Sequence, residues 1–246
     1  MTAATPREVL IETLARAIGR ARVAVVGAQS PIPAAAALLA EHRAGGVLKI
    51  VILGSSSHYP FTDGGREMFD FAGQGRVDVF FLSGGQIDGQ ANINLVGAGG
   101  YPTSATRFPG SFGSAFLYFV VPRVILFREE HSRRVLVPKV DFISAPGTSP
   151  PGIYRPGGPS HLVTGRALFA FQRDQARFRL DSVHPGHSLD EVIENTGFEF
   201  DRADPLATTP APDADSLALI RGPVQDRLAA IYPEFVHALA ANQDML

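Results

Sequence analysis

Residues 77–94 read V-D-V-F-F-L-S-G-G-Q-I-D-G-Q-A-N-I-N. Val77 to Leu82 is an apolar run of strand length. Ser83 to Asn94 then places three glycines, two glutamines, an aspartate and two asparagines in twelve residues, with almost no charge. A core strand ending in such a run presents backbone N–H groups and short amide side chains at a sheet edge, where open α/β sheets bind ligands. The same residue types also make an ordinary polar turn after a core strand, and they do not by themselves choose between the two.

Upstream, the pattern strand–glycine recurs. Val23 to Val26 ends at Gly27, and Val47 to Leu53 ends at Gly54. Between them, Pro31 to His42 reads as an alanine-rich helix stopped by Gly45-Gly46. Gly64 to Ala72 reads as a short helix before the third strand. At the start, Thr5 caps a helix with Pro6 in its first turn and Glu8 completing a capping box, and Leu10, Leu14 and Ile18 share one face. Strands alternating with helices predict an α/β fold, an open and mainly parallel sheet with flanking helices on both faces.

The second half is richer in strands. Arg123–Phe127, Val135–Val137, Phe142–Ser144, His161–Thr164, Ala167–Phe171 and Phe178–Val183 carry strand patterns. Gly147 to Pro159 is a glycine- and proline-rich loop. Ser188 caps a short helix through Glu194. Ala203 to Pro212 reads as a proline-rich linker. It leads to helices over 213–220 and 223–242, the latter kinked or split at Pro233. The expectation is one domain over 1–246 with a C-terminal helical extension at about 213–242.

With 246 residues, 45% of them apolar, the chain is long enough to bury a core without staples. A formal net charge of −2 gives no reason to expect nucleic acid. No apolar run reaches membrane-spanning length. Met1 to Glu8 lacks the basic and apolar regions of a secretory signal, so a cytoplasmic protein with no membrane contact is expected. There is no cysteine, hence no disulfide and no thiolate chemistry. His184-x-x-His187 has too few partners for a metal, and neither a P-loop nor a dinucleotide fingerprint is present. The charge run Arg128 to Arg134 reads as solvated surface or a subunit contact.

Several motifs in order resemble one family. Ser83 to Asn94 is similar to the G-G-A-Q-I-D-x-x-G-N-x-N signature of β subunits of family I coenzyme A transferases, the glutaconate CoA-transferase type. Thr106 to Gly113, T-R-F-P-G-S-F-G, resembles its T-R-x-x-G-S-G-G. Lys139 to Gly147, K-V-D-F-I-S-A-P-G, resembles its K-I-D-Y-V-T-S-P-G, and Glu194 to Phe198 matches E-N-T-G-F. The resemblance spans roughly residues 8 to 220. It implies the CoA-transferase (NagB/RpiA-like) fold and a separate α subunit, as an α2β2 heterotetramer, with the active site between the two chains. Coenzyme A would enter as part of the substrate, and no other cofactor or metal is implied.

One position departs from the family. Its transferases carry CoA on a glutamate at the end of an early strand, within H-I-I-V-E-S-G. Here that position falls on Leu53, and no Asp or Glu occurs between Glu41 and Asp63. An alkyl side chain forms neither an anhydride nor a thioester. Two branches of the family do not transfer CoA: one decarboxylates 3-methylglutaconyl-CoA, the other hydrolyses a C–C bond in steroid breakdown. The motifs around Gln86, Arg107 and Glu194 to Phe198 suit the short acyl group of the first branch. His184-Pro185-Gly186 has a counterpart in the second, which stays as the rival. A transferase with its nucleophile elsewhere and a ligand-sensing or structural subunit also stay open.

In the decarboxylase reading, Ser56, Leu53 and Gln86 stand nearest the chemistry. Gly54, Ser55, Ser57, His58, Gly85, Asp88, Arg107, Gly110, Ser111, Phe112 and Gly113 bind substrate or CoA. Residues 110–113 are the expected amide donors, with Phe112 standing where the family has glycine. Each residue also has a plainer role open to it: a solvated turn for the serines, a capped turn for Gln86 and Asp88, a surface ion pair for Arg107, surface for His58. Asn92 and Asn94 are expected to fix the loop backbone.

Overall fold

A computed structural model describes residues 3–243. Met1, Thr2 and residues 244–246, the ends of the expected 1–246 span, lie outside the described residues. Helix α1 (Pro6–Ile18) starts at the expected box: Thr5 Oγ1 accepts from the Glu8 amide, and a Glu8 carboxylate oxygen accepts from the Thr5 amide. In chain order follow β1 (Val23–Val26), α2 (Pro31–Arg43), β2 (Lys49–Ile52), α3 (Gly64–Gly73) and β3 (Val79–Leu82). Two short ribbons come next, β4 (Gln86–Ile87) with β5 (Ile93–Asn94), and β6 (Gly97–Ala98) with β7 (Thr106–Arg107). Helix α4 (Ser114–Val120) leads to β8 (Arg123–Arg128), β9 (Pro159–Thr164), β10 (Ala167–Gln172) and β11 (Arg177–Val183). The chain ends in α5 (Leu189–Asn195), β12 (Asp201–Thr208), α6 (Ala214–Leu219), α7 (Gln225–Ala229) and α8 (Pro233–Gln243).

The large sheet runs β12-β11-β10-β9-β8-β3-β1-β2. Its pairs are parallel except β9 with β10 and β10 with β11. Alternate residues of β1 feed different cores, as the two-residue period of a strand requires. Ala24 and Val26 join Leu14, Ile18, Leu38 and Leu39 of α1 and α2 on one face. Val25 joins Met68 and Ala72 of α3 and Leu117 and Tyr118 of α4 on the other. Ala34 to Ala37 are fully buried, and their small side chains let α2 lie close against its neighbours. Ile220, Val224, Leu228 and Leu239 complete the α1–α2 core, so the C-terminal helices are packed elements of it. Arg221 pairs with the buried Glu8 at 2.7 Å and ties them to α1.

Three expectations are corrected. Ala203–Pro212 is not a linker: residues 201–208 form β12, parallel to β11. The register jumps from Leu180↔Arg202 to Ser182↔Ala207, so Pro205 sits in a bulge on an edge strand, where its missing N–H costs no ladder bond. Val135–Val137 and Phe142–Ser144 are not strands. They are turns and bends that cover the β4–β5 ribbon and touch it at isolated bridges, Ile87↔Leu136 and, just past the second segment, Ile93↔Ala145. Helix α4 was not foreseen, because its S-A-F-L-Y-F-V has no side-chain cap and merges with the apolar run that follows.

Candidate functional site

The connection from β1 to β2 runs through α2 on one face, and that from β2 to β3 through α3 on the other. Strands β2 and β3 flank β1, so the chain reverses its winding between β1 and β3. The crevice beyond the carboxyl ends of two such strands is where open α/β sheets hold ligands. A cleft of about 670 Å³ opens there. Gln29 and Ser30 follow β1 into it, Leu53 follows β2, and Ser83 to Gly85 follow β3. Phe108 and residues 110–112 form the opposite wall, and Arg128 and Arg134 stand at the β8 end. Among the described residues, no Asp or Glu lines it.

The polar residues of the 83–94 run mostly hold the loop itself. Gln86 Oε1 accepts from Asn94 Nδ2 at 2.7 Å and from the Asp141 amide at 3.0 Å, while its Nε2 donates to Asp141 Oδ2 at 3.0 Å. Asp88 Oδ1 accepts from the Gln90 and Asn92 amides at 3.1 Å each. Asn92 Oδ1 accepts from the Gly147 amide at 3.2 Å, and Asn94 Oδ1 from the Val96 amide at 2.9 Å. All four side chains are buried, with these bonds offsetting the desolvation cost. They lash the cleft floor to residues 139–147. Gly85 is required for shape: a Cβ there would lie 2.4 Å from the Phe108 ring.

Leu53 is half-buried, its N–H bonded to Val26 O at 3.0 Å, and it faces both the cleft and an adjoining hollow under residues 231–235. Gly54, exposed with φ +87°, turns the chain out. The structure separates the next four residues from the cleft lining. Ser56 is exposed on the turn. Ser55 Oγ accepts from the His58 amide, and Ser57 Oγ lies 2.8 Å from His58 Nδ1. Arg227 Nη2 donates to His58 Nε2 at 2.9 Å, so the imidazole carries its proton on Nδ1. Burial and the Arg227 charge hold the His58 pKa below its ordinary value. This cluster faces α7, whose Arg227 also pairs with Glu41 at 2.7 Å.

Arg107 is exposed on β7 and donates to Pro102 O at 3.1 Å. Gly110 has φ +99°, and its N–H bonds Leu95 O at 2.9 Å. Phe112 also adopts positive φ, +43°, stays 82% exposed and leans on Phe69. Gly113 caps α4, and a Cβ there would strike the Phe69 ring at 2.1 Å. Thus Leu53, Gly85, Gly110, Ser111 and Phe112 meet at one cleft, Gln86 and Asp88 support it from beneath, and Ser55 to His58 and Arg107 lie apart.

Sequence reading missed Arg128 and Arg134, whose charge run looks like solvated surface. The available signal was position, since residue 128 ends a parallel strand two places from β1. Their loop is anchored by His131, 5% exposed, with Nδ1 2.7 Å from Thr164 Oγ1 and Nε2 3.0 Å from Thr196 Oγ1. The Thr196 hydroxyl spends its proton on Val192 O, so His131 Nε2–H donates to it. The E-N-T-G-F segment therefore buttresses this loop. Gly197 belongs to the same contact, as a Cβ there would lie 2.3 Å from Leu136 O. No helix of the described residues is long and apolar enough to cross a membrane, and no three metal-ligating side chains gather among them.

Comparison with known proteins agrees with this arrangement. The chain is 30% identical over 164 residues to a subunit of the glutaconate CoA-transferase of Acidaminococcus fermentans, a match covering 64% of this chain and 60% of that one. It is 32% identical over 164 residues to a subunit of the 3-oxoadipate CoA-transferase of Pseudomonas knackmussii, covering 64% and 62%. The chain thus spans about three fifths of the length of these relatives. A solved structure of the decarboxylase AibA/AibB superposes with a TM-score of 0.78 at 27% identity, over 96% of this chain and 99% of that one. The coenzyme A transferase family profile matches residues 9–195, and the chain belongs to that family.

Proposed function

We propose that this chain is the β subunit of a cytoplasmic decarboxylase acting on a glutaconyl-type CoA thioester. It converts 3-methylglutaconyl-CoA to 3,3-dimethylacrylyl-CoA, on a route to isovaleryl-CoA, at a site completed by an α subunit in an α2β2 assembly. The observation that carries this reading is the cleft wall at the end of β2. Leu53 stands where the family resemblance calls for a nucleophilic glutamate, and no acidic side chain of the described residues lines the cleft. The likeness to AibA/AibB over nearly the whole length of both chains supports it.

Decarboxylation needs no covalent carrier. The bond between the carboxylate carbon and the acyl chain breaks, CO₂ departs, and the electron pair spreads as a dienolate onto the thioester oxygen. Protonation of carbon completes the product. The thioester is the electron sink, so metal or prosthetic group is not required. The protein supplies donors to the oxygen, each worth about 3–4 kcal/mol in the transition state. The amides of Ser111 and Phe112, at the cleft wall, are assigned that task, since the Gly110 amide is already bonded to Leu95 O. Leu53, with Leu82 and Leu95, supplies an apolar flank. Such a flank solvates a localised carboxylate poorly and a delocalised dienolate better. Ser56, exposed past Leu53, is placed at the seam with the α subunit.

The test is to co-express the chain with its α subunit and supply 3-methylglutaconyl-CoA with and without acetate. CO₂ release independent of acetate is the expected result. Acetyl-CoA formation would make it a transferase, free acid or a C–C-cleaved fragment a hydrolase, and binding without turnover a sensing subunit.

A further inference from the structure

At the β8 end of the cleft, two cations converge on one anion. Arg134 Nε donates to Glu130 Oε1 at 3.2 Å, and its Nη2 bonds Oε2 of the same carboxylate. Arg128 Nη2 lies 3.6 Å from Glu130 Oε2. Ser132 Oγ donates to Oε1 at 2.6 Å and fixes the carboxylate. Both arginines line the cleft, whereas Glu130 reaches them from a neighbouring hollow of about 560 Å³ that Arg128 shares. His131, between them, anchors the loop, buried against Thr164 and Thr196. Two guanidinium groups facing one carboxylate leave a surplus positive charge beside a cleft lined by no acid. Guanidinium groups held as a pair match the geometry of carboxylate and phosphate oxygens.

We infer that Arg128 and Arg134 form an oxyanion latch, held by Glu130 in the free protein and engaged by a carboxylate or phosphate of the bound thioester. The inference rests on the cleft being the thioester site, as proposed above. Glu130 is the resident surrogate for the ligand's anion. Burial raises its pKa, but the hydrogen bonds from Ser132 and Arg134 and the two arginine charges outweigh this and keep it ionised, so it competes with the ligand at neutral pH. The latch predicts variants of opposite sign at neighbouring positions, which a merely structural cluster does not.

Titration calorimetry on the co-expressed complex tests it with three unreactive probes: 3-methylglutaryl-CoA, isovaleryl-CoA and 3-methylglutaryl-pantetheine. Arg128→Gln and Arg134→Gln should each weaken binding about tenfold, the scale of one charge-assisted hydrogen bond. Glu130→Gln should tighten it. Loss confined to the two probes with a distal carboxylate assigns the latch to the acyl group. Loss confined to the two CoA probes assigns it to a phosphate. Unchanged affinities in both arginine variants, or weakening by Glu130→Gln as well, overturns the latch. If the affinities shift as expected but 3-methylglutaconyl-CoA releases no CO₂, the decarboxylase reading fails and the latch stands. If CO₂ is released and the arginine variants bind and turn over normally, the reverse holds. An unmodified complex that binds none of the probes overturns the latch, and the decarboxylase reading is then decided by CO₂ release from 3-methylglutaconyl-CoA alone.

Discussion

His131 and His184 meet at Thr164, and together they set a pH limit on the fold. His131 Nδ1 lies 2.7 Å from Thr164 Oγ1, and His184 Nε2–H donates to Thr164 O at 3.0 Å. Burial, and then neighbouring positive charge from Arg166, lowers the His131 pKa from 6.5 to about 4. Burial lowers that of His184 to about 4 as well. Above pH 6.5 both are neutral in the folded and the unfolded chain, and their contribution to stability is complete. As the pH falls from 6.5 toward 4, the unfolded chain takes up protons that the folded one refuses, so stability drops. At 1.36 kcal/mol per pH unit and group, the interval from 6.5 to about 4 costs about 3 kcal/mol for each histidine. Both together are a large share of the roughly 5–15 kcal/mol that holds a typical domain. His161, also lowered chiefly by burial, acts in the same direction. Carboxylates with depressed pKa, such as Asp78 and Asp213, lose their contribution only as the pH falls below their unfolded value of 3.8. The window from 6.5 to 4.5 therefore belongs to the histidines. Urea unfolding followed by circular dichroism from pH 7.5 to 4.5 reads it. His131→Gln should remove about 1.4 kcal/mol per pH unit from the slope while lowering stability at pH 7.5. An unfolding free energy that stays flat between 6.5 and 4.5 refutes the argument.

Two substitutions probe the cleft. Leu53→Glu should lower CO₂ release from 3-methylglutaconyl-CoA at least about tenfold, or about 1.4 kcal/mol in the barrier, by bringing charge and water to the apolar flank; unchanged turnover removes Leu53 from the mechanism. Gly147→Ala places a Cβ 2.1 Å from Gln90 O and 2.7 Å from Ala91 O, backbone atoms of the lashed loop. It should cost about 3 kcal/mol, a fall in thermal midpoint on the order of 10 °C, and an unshifted midpoint would show that the loop gives way freely.

The parallel half of the fold was legible because its signals are local. The capping box at Thr5 and Glu8, the apolar runs ending at Gly27 and Gly54, and the alanine-rich α2 each stand in one stretch of sequence. Strand β12 was not legible, since its burial is slight and its proline is tolerated only because the ladder with β11 skips four residues. Val135–Val137 carries a strand's composition, yet its burial comes from covering the β4–β5 ribbon. Within the site, Leu53 and the 83–94 loop were found from one stretch each. Arg128 and Arg134 escaped because their relevance comes from the order of strands in the sheet, which brings β8 beside β3.

The division of labour within the cleft explains how one scaffold can change its chemistry. Positions 147 and 197 are glycines where a Cβ would lie 2.1 and 2.3 Å from backbone oxygens, so the architecture dictates the residue, while at 85 it would press on the Phe108 ring at 2.4 Å. Gln86, Asp88, Asn92 and Asn94 are committed to one another and to the 139–147 segment, so loss of any one strands a buried partner. Leu53 carries neither constraint. Its backbone N–H donates to Val26 O, a bond that any residue but proline supplies, and its side chain is half-buried at a strand end. It packs on the edge of the core and is half-exposed to the cleft, so a glutamate there meets no backbone obstacle, unlike a side chain at position 147. Leu53→Glu should therefore lower the thermal midpoint much less than Gly147→Ala does, while altering catalysis. A folding defect in that variant as large as that of Gly147→Ala would mean that the position is structural, and that its side chain says nothing about the reaction.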